Sequence, residues 1–314
     1  MAVIGTWNLE NLFLPGADAG PTSTEAYETK LDSLAATIVR AAPDVLAVQE
    51  VGSPEALADL VTRLPGEWHT ELAEPDARGI RVGLLARTPL TAPAQAARFP
   101  EPLAPVQVAD DGSTVEQMGR PALKAVADLD GTEVTLVSCH LKSKLLTYPG
   151  GRFSPRDEHE RARYAVYALG RRAAEAATVR AFVTELLAGQ GRDRALAVLG
   201  DPNDGPHAAT TTLLHGPPGS ELGTAGFTRS DQGDGARLWN LTSLILEADR
   251  FSRIYQGRQE LIDHVLVSHA LVGKAGEVAT AESGGGGSVG DDPTDRRDAP
   301  GSDHRPVFAH LRLS

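Results

Sequence analysis

Short apolar runs of strand length recur along the chain, and each gives way to polar residues. Residues 2–7, 45–49, 82–86, 123–129, 133–138, 195–199, 261–268 and 306–313 are rich in Val, Leu and Ile and predict strands. Asp130-Gly131 separates two of these runs with the chemistry of a tight hairpin, so part of the sheet is expected to be antiparallel. Helical signals cover 23–42, stopped ahead of Pro43, then 54–64, and 155–187, punctuated at Gly189. Strands interleaved with so few helices predict α+β layers and not a regular βαβ barrel. No internal repeat is visible. The Gly/Asp-rich tract 283–302 lies between two predicted strands and reads as a flexible loop inside one domain spanning 1–314.

Composition narrows the classes. With 314 residues, 41% of them hydrophobic, the chain can bury a sizeable core. Its 32 glycines and 21 prolines make it loop-rich without reaching low complexity. The single cysteine, Cys139, excludes an intrachain disulfide and any Cys-based zinc site. A net charge of −12 argues against a general nucleic-acid coat protein, because phosphate chemistry then needs a local basic patch or a cation. The opening MAVIGTWNLE lacks an export pattern and no apolar run approaches membrane-spanning length, so a cytoplasmic protein without membrane contact is expected.

The informative feature is where the polar residues fall. Asn8-Leu9-Glu10-Asn11, Gln49-Glu50, Ser138-Cys139-His140-Leu141-Lys142, Gly200-Asp201-Pro202-Asn203-Asp204 and Ser302-Asp303-His304-Arg305-Pro306 all sit at the ends of apolar runs. A sixth group, Ile262-Asp263-His264, lies within one. Sheet ends fix side-chain direction, so layered α/β folds gather their active sites there. Carboxylates, amides and histidines with almost no cysteine point to a hard, oxygen-ligated cation such as Mg²⁺. Singly, each group has a plainer explanation: 200–204 is built of turn residues, and a lone histidine such as His140 is more often a satisfied core residue. Asp263 is harder to dismiss, because a carboxylate inside an apolar run requires a cation or a histidine nearby.

Taken in order, TWNLENLF, VQE, HLKSK, GDPND, LIDHVLVS and SDHRPV resemble the metal-dependent endonuclease/exonuclease/phosphatase superfamily, across nearly the whole chain. HLKSK and the Arg-rich helix after it are most similar to the bacterial nuclease-like branch. Pro202 departs from the aromatic or aliphatic residue common at that position, while Asp201 and Asn203 keep their spacing. The resemblance implies a four-layer α/β/β/α sandwich of two mixed sheets flanked by helices.

It also implies residue roles. Glu50 would be the principal ligand of Mg²⁺, with Mn²⁺ able to substitute, and Asn8, Glu10 and Asp303 would complete or support the site. Asp201 would orient or deprotonate the attacking water, with Asn203 beside it. His304, paired with Asp263, would contact the scissile phosphate, and His140 would hold another phosphate oxygen. From His140 to Arg172 there are eight basic and three acidic residues, a basic island in an acidic chain, from which Lys142, Lys144 and Arg152 are expected to meet substrate. Arg120 is a further substrate candidate, although Gly119-Arg120-Pro121 also reads as the start of a strand. The expected activity is hydrolysis of phosphodiesters in DNA by in-line attack of water. The alternatives are a phosphatase or phosphodiesterase of a small nucleotide or sugar phosphate, and an inactive phosphate-binding module. The expected partner is a nucleic acid or nucleotide substrate, and no obligate protein partner is evident. The loops that would set specificity, 152–163, 224–237 and 283–302, carry no decodable pattern.

Overall fold

In the computed structural model, residues 1–219, 221–222, 231–284, 286–290, 292 and 294–313 are described. Residues 224–230 of the specificity loop, and 285, 291 and 293 of the Gly/Asp-rich tract, lie outside them. Strands run Ala2–Leu12 (β1), Val45–Val51 (β2), His69–Leu72 (β3), Arg81–Ala86 (β4), Thr91–Arg98 (β5), Val106–Gln107 (β6), Thr114–Val115 (β7) and Gln117–Leu129 (β8). They continue as Thr132–His140 (β9), Leu196–Asp201 (β10), Leu238–Asn240 (β11), Arg253–Tyr255 (β12), Arg258–Glu260 (β13), His264–Ser268 (β14), Ala275–Thr280 (β15) and Val307–Leu311 (β16). Helices are Thr24–Ala41 (α1), Pro54–Val61 (α2), Glu158–Leu187 (α3), Ala209–His215 (α4) and His269–Val272 (α5).

Local chemistry sets the helix ends. The side chains of Ser23, Ser53 and Asp157 accept the amides of Ala26, Ala56 and Glu160 and so cap α1, α2 and α3. Ala42 and Ala188 close α1 and α3 in the left-handed conformation, ahead of Pro43 and Gly189. Asp130 and Gly131, both at positive φ (52° and 80°), make the turn joining β8 to β9.

Two six-stranded mixed sheets result, in the orders β15-β16-β1-β2-β4-β3 and β11-β14-β10-β9-β8-β5. At the heart of each lies one parallel pair, β1/β2 or β9/β10, flanked on both sides by antiparallel neighbours. The two sheets therefore repeat one arrangement that the sequence does not display. Residues alternate along the central strands. Ile4, Val45, Ala47, Leu136, Ala197 and Leu199 pack between the sheets. Leu46 and Val48 turn outward to Leu31, Leu34, Ile38, Leu57 and Leu60 of α1 and α2. Val137, Cys139 and Val198 turn outward to Val179, Val183 and Leu187 of α3. Strands buried on both faces read as continuous apolar runs, which is why these were legible. The layers are α/β/β/α, as expected. Edge strands β3, β5 and β15 and the ribbons β6/β7 and β12/β13 lack such runs, and nothing in the apolar pattern marked them.

Period two also places the site. Beyond Ile4 the same face carries Thr6 and Asn8; beyond Ala47, Gln49; beyond Leu136, Ser138 and His140; beyond Leu199, Asp201. The apolar gap between the sheets thus turns polar at the ends of the two parallel pairs, where Asn8 registers with Gln49 and Asp201 with His140.

Candidate active site

At this end β1 and β2 lose register between Asn8 and Leu12, and Glu10, Asn11 and Glu50 take positive φ (50°, 50° and 60°). Such strained, irregular strand ends redirect side chains and recur at functional sites. Glu50 Oε1 accepts Asn8 Nδ2 at 3.2 Å, and Glu50 Oε2 accepts the Asn11 amide at 2.9 Å. The Asn8 amide also donates to Asp201 Oδ2 at 3.2 Å, so one side chain joins the two sheets. Asp201 Oδ1 accepts the backbone N–H of Asn203 at 2.8 Å, closing a turn around Pro202 that leaves the Asp201–Asn203 spacing usable.

His304 and Asp263 form the most buried ionic pair here. Nδ1 of the histidine lies 2.7 Å from Asp263 Oδ2, and its Nε2 points toward Asp201 Oδ2 at 4.0 Å and Asp303 Oδ1 at 3.9 Å. Burial disfavours the imidazolium, but the charge of Asp263, then Asp303, overcomes it, and His304 is held charged up to about pH 10. Asp201 is raised as well, to about 7, by burial and by the charge of Asp263, which in a carboxyl group favours the neutral form. His140 Nε2 sits 3.6 Å from Asp201 Oδ2 and 4.0 Å from Glu50 Oε1. Burial, then the charges of Arg120 and His304, keep this imidazole neutral, well below the usual histidine range. One charged and one neutral imidazole therefore flank a carboxylate of high proton affinity.

A cation fits these residues. Asp201, Asp263 and His304 offer donor atoms within 4.8 Å of one another. A protonated His304 is no ligand, however, so that triad is better read as a dyad beside a carboxylate. Oxygen donors remain in Glu50, Asp201 and Asn8, and Asp263 Oδ1 is buried without a hydrogen-bond partner. Clustered buried carboxylates, one with its proton affinity raised, are what a hard divalent ion stabilises.

Seven of the residues expected from sequence, Asn8, Glu50, His140, Asp201, Asn203, Asp263 and His304, come together around this point. Asp303 borders it as well, with Oδ1 3.9 Å from His304 Nε2, and the remaining five are held by other partners. Glu10 is clamped by Arg296 through Oε1 at 2.6 Å and Oε2 at 2.9 Å, and Asp303 lies 3.2 Å from the Arg253 guanidinium. The Lys142 ammonium donates to the carbonyls of Ser143 (3.0 Å) and Leu145 (2.8 Å), and burial pulls it down to about 8. Arg152 pairs with Glu160 at 2.8 Å, and Lys144 lies between Asp204 at 3.6 Å and Glu260 at 3.5 Å. Arg120 is buried against the carbonyls of His140 and Leu141. The basic island is similarly answered: Arg161 by Glu158, Arg163 by Asp110, Arg171 by Glu175 and Arg172 by Asp204.

Sequence reasoning missed several supports. Lys30 occupies the apolar face of α1 with Tyr27, Leu31 and Leu34 and donates to the Glu10 carbonyl. Its helical phase was the available signal. Ser302 Oγ donates to the Asn8 carbonyl at 2.6 Å, and Trp7 Nε1 to that of His304 at 2.9 Å. In the tract expected to be flexible, Arg297 binds the carbonyls of Ala17 and Gly20, and Asp298 binds Thr22, so 296–298 are docked. No local signal pairs those segments.

The description "Endonuclease/Exonuclease/phosphatase family" belongs to the family model that matches residues 5–304. Among solved structures, a mannosyl-6-phosphatase from Bacteroides thetaiotaomicron is similar at a TM-score of 0.59 with 14% identity, covering 100% of both chains. A 3′ phosphatase from Neisseria, bound to a product DNA hairpin, is similar at 0.53 with 16% identity, again covering 100% of each chain. The human Nocturnin catalytic domain with bound sulfate is similar at 0.54 with 16% identity, over 98% of this chain and 93% of that one. No curated protein matches the chain.

Proposed function

Since this chain belongs to the endonuclease/exonuclease/phosphatase family, which is generally dependent on divalent metal, it is a phosphoester hydrolase, and we propose that it works with Mg²⁺ by direct attack of water on phosphorus. The observation that carries this reading is the charged His304–Asp263 pair facing Asp201 across 4.0 Å. Glu50, with Asn8, would hold the cation, which when bound would neutralise phosphate oxygens and ease loss of a water proton. Asp201, whose carboxylate binds a proton up to about pH 7, accepts the proton of the attacking water. The Nε2–H of His304 donates to a phosphate oxygen as charge builds there, and Asp263 keeps that proton in place. Neutral His140 and the amide of Asn203 are suited to hold a second oxygen. Cys139 does not compete as a nucleophile, being buried with its thiol pushed up to about 12.

We propose a compact phosphoester, a nucleotide or sugar phosphate, as substrate. The pairing of Arg152, Arg161, Arg163, Arg171 and Arg172 with carboxylates supports it, because a polymer backbone needs cations that are not already neutralised. DNA remains the second reading, on the strength of Lys144, whose half-exposed ammonium is held only loosely. Purified protein with Mg²⁺ should be given plasmid, linear DNA, mononucleotides and hexose phosphates. Hydrolysis of the small esters without plasmid cleavage is the expected outcome. Salt-sensitive DNA cleavage would favour the second reading, and inertness toward all of them with Mg²⁺ and Mn²⁺ would overturn the proposal.

A further inference from the structure

The backbone from His140 to Lys142 is gripped from several sides by charged side chains that never reach the reacting centre. Arg120, only 8% exposed, donates Nε–H to the His140 carbonyl at 3.2 Å and a terminal N–H to the Leu141 carbonyl at 3.0 Å. Asn203 donates its amide to the same Leu141 carbonyl at 3.0 Å, and the Leu141 amide donates to the Asp201 carbonyl at 3.0 Å. Glu175 of α3 accepts the Lys142 amide at 2.5 Å, and Arg172 donates to the Lys142 carbonyl at 3.1 Å. Behind Arg120 stands Asp76, with Oδ2 3.4 Å from the guanidinium. Oδ1 of Asp76 accepts the amides of Arg78 and Ile80, both at 2.9 Å, which fixes that turn.

Such a grip matters because the His140 ring has little else to orient it. Its Nδ1 is buried without a hydrogen-bond partner, so ring direction depends on packing and on where the backbone carries the side chain. We infer that Arg120 is a positioning residue for the hydrolytic reaction, setting His140 against Asp201 through the His140 carbonyl and Asn203 through the Leu141 carbonyl that Arg120 and Asn203 both bind. The fork geometry suits this role, since a guanidinium can bind two adjacent carbonyls and one carboxylate in a plane, which an ammonium cannot. The inference rests on the hydrolytic reading of this site and departs from the sequence expectation that Arg120 meets substrate.

Two variants test it. Arg120→Lys keeps a charge but loses the fork. Asp76→Asn keeps the two turn hydrogen bonds through Oδ1 and replaces the oxygen facing Arg120 with an amide. A displacement on the 1 Å scale lowers rate by about 10²-fold, so kcat of R120K is expected to fall by that order with KM little changed. D76N is expected to show a smaller loss of the same kind, and its melting temperature checks that it is folded. A rise in KM with kcat preserved would make Arg120 a substrate contact and overturn the inference. Crystal structures of the variants give a readout independent of turnover. The His140 Nε2 to Asp201 Oδ2 distance, 3.6 Å in the parent, should lengthen, and the Asn203 amide should leave the Leu141 carbonyl. Unchanged geometry in both variants overturns the inference even if the wild type hydrolyses none of the esters tested, an outcome that would sink only the catalytic reading.

Discussion

Nδ1 of His304 lies 2.7 Å from Oδ2 of Asp263, 41 positions earlier in the chain. Burial would strip the imidazole of its proton; the carboxylate restores it and holds it to about pH 10. Asp263→Asn keeps the shape and removes the charge, so the His304 proton is expected to leave below neutral pH. At pH 8 kcat should fall by about 10²–10⁴-fold, the usual worth of a placed proton donor. The alkaline limb of the pH–rate profile should also move down by several units. A profile unchanged in D263N would refute the role given to His304.

The same pair fixes a stability trend. A histidine whose folded pKa is raised from 6.5 to about 10 contributes stability that is complete below about pH 6.5 and lost as pH rises through about 10. Chemical denaturation of the wild type should therefore show weakening across that window. In His304→Gln this part of the trend should be missing.

Asp201 gives a contribution of similar sign from the opposite chemistry. Its folded pKa is raised to about 7, so its stabilising part is present below about pH 4 and is lost as pH rises through about 7. With EDTA at pH 8, Asp201→Asn should melt no lower than the wild type, and with Mg²⁺ restored it should lose about 10²–10⁴-fold in activity. A D201N protein that melts well below the wild type would show that the carboxylate is already compensated without a cation.

Glu50 Oε1 and Oε2 are each held by a single N–H donor. Isothermal titration with Mg²⁺ and with Mn²⁺ should show Glu50→Gln binding at least about 10–100-fold more weakly. Arg296→Gln is the contrast: it removes the clamp on Glu10, and equal weakening in both variants would place Glu10 among the ligands.

Leu136 is fully buried between the sheets, and Leu136→Ala should cost about 2–5 kcal/mol in a denaturant titration. Residual Mg²⁺-dependent activity per folded molecule should stay near wild type, because the site lies further along β9.

The legible part of the fold was the part buried on both faces. Strands β1, β2, β9 and β10 announce themselves as aliphatic runs, and their period-two continuation into Asn8, Gln49, His140 and Asp201 marks where the apolar gap ends. Asp263 was legible by its cost, a carboxylate among Leu, Ile and Val that had to find His304. Edge strand β5, Thr91–Arg98, was not legible, since its largely exposed TAPAQAAR carries no apolar alternation. Nor were the partners of the basic residues. A sequence shows that Arg152, Arg171 and Arg296 are charged, but the carboxylates of Glu160, Glu175 and Glu10 that neutralise them are assigned only by packing. The internal likeness of the two sheets escaped for a related reason: it resides in strand order and direction, which different aliphatic sequences satisfy equally well.

Strand β1 lies between β2 and β16, and the hydroxyl of Ser302 reaches back 294 positions to the carbonyl of Asn8. At the roughly 5–20 residues per second of protein synthesis, a nascent chain therefore carries β1 with one edge unpaired for on the order of 15 to 60 seconds. During that interval the polypeptide lacks His304, which under the proposed mechanism leaves it without the donor to the phosphate oxygen. It also presents an open template for strand addition, which the arrival of one five-residue strand, Val307–Leu311, closes.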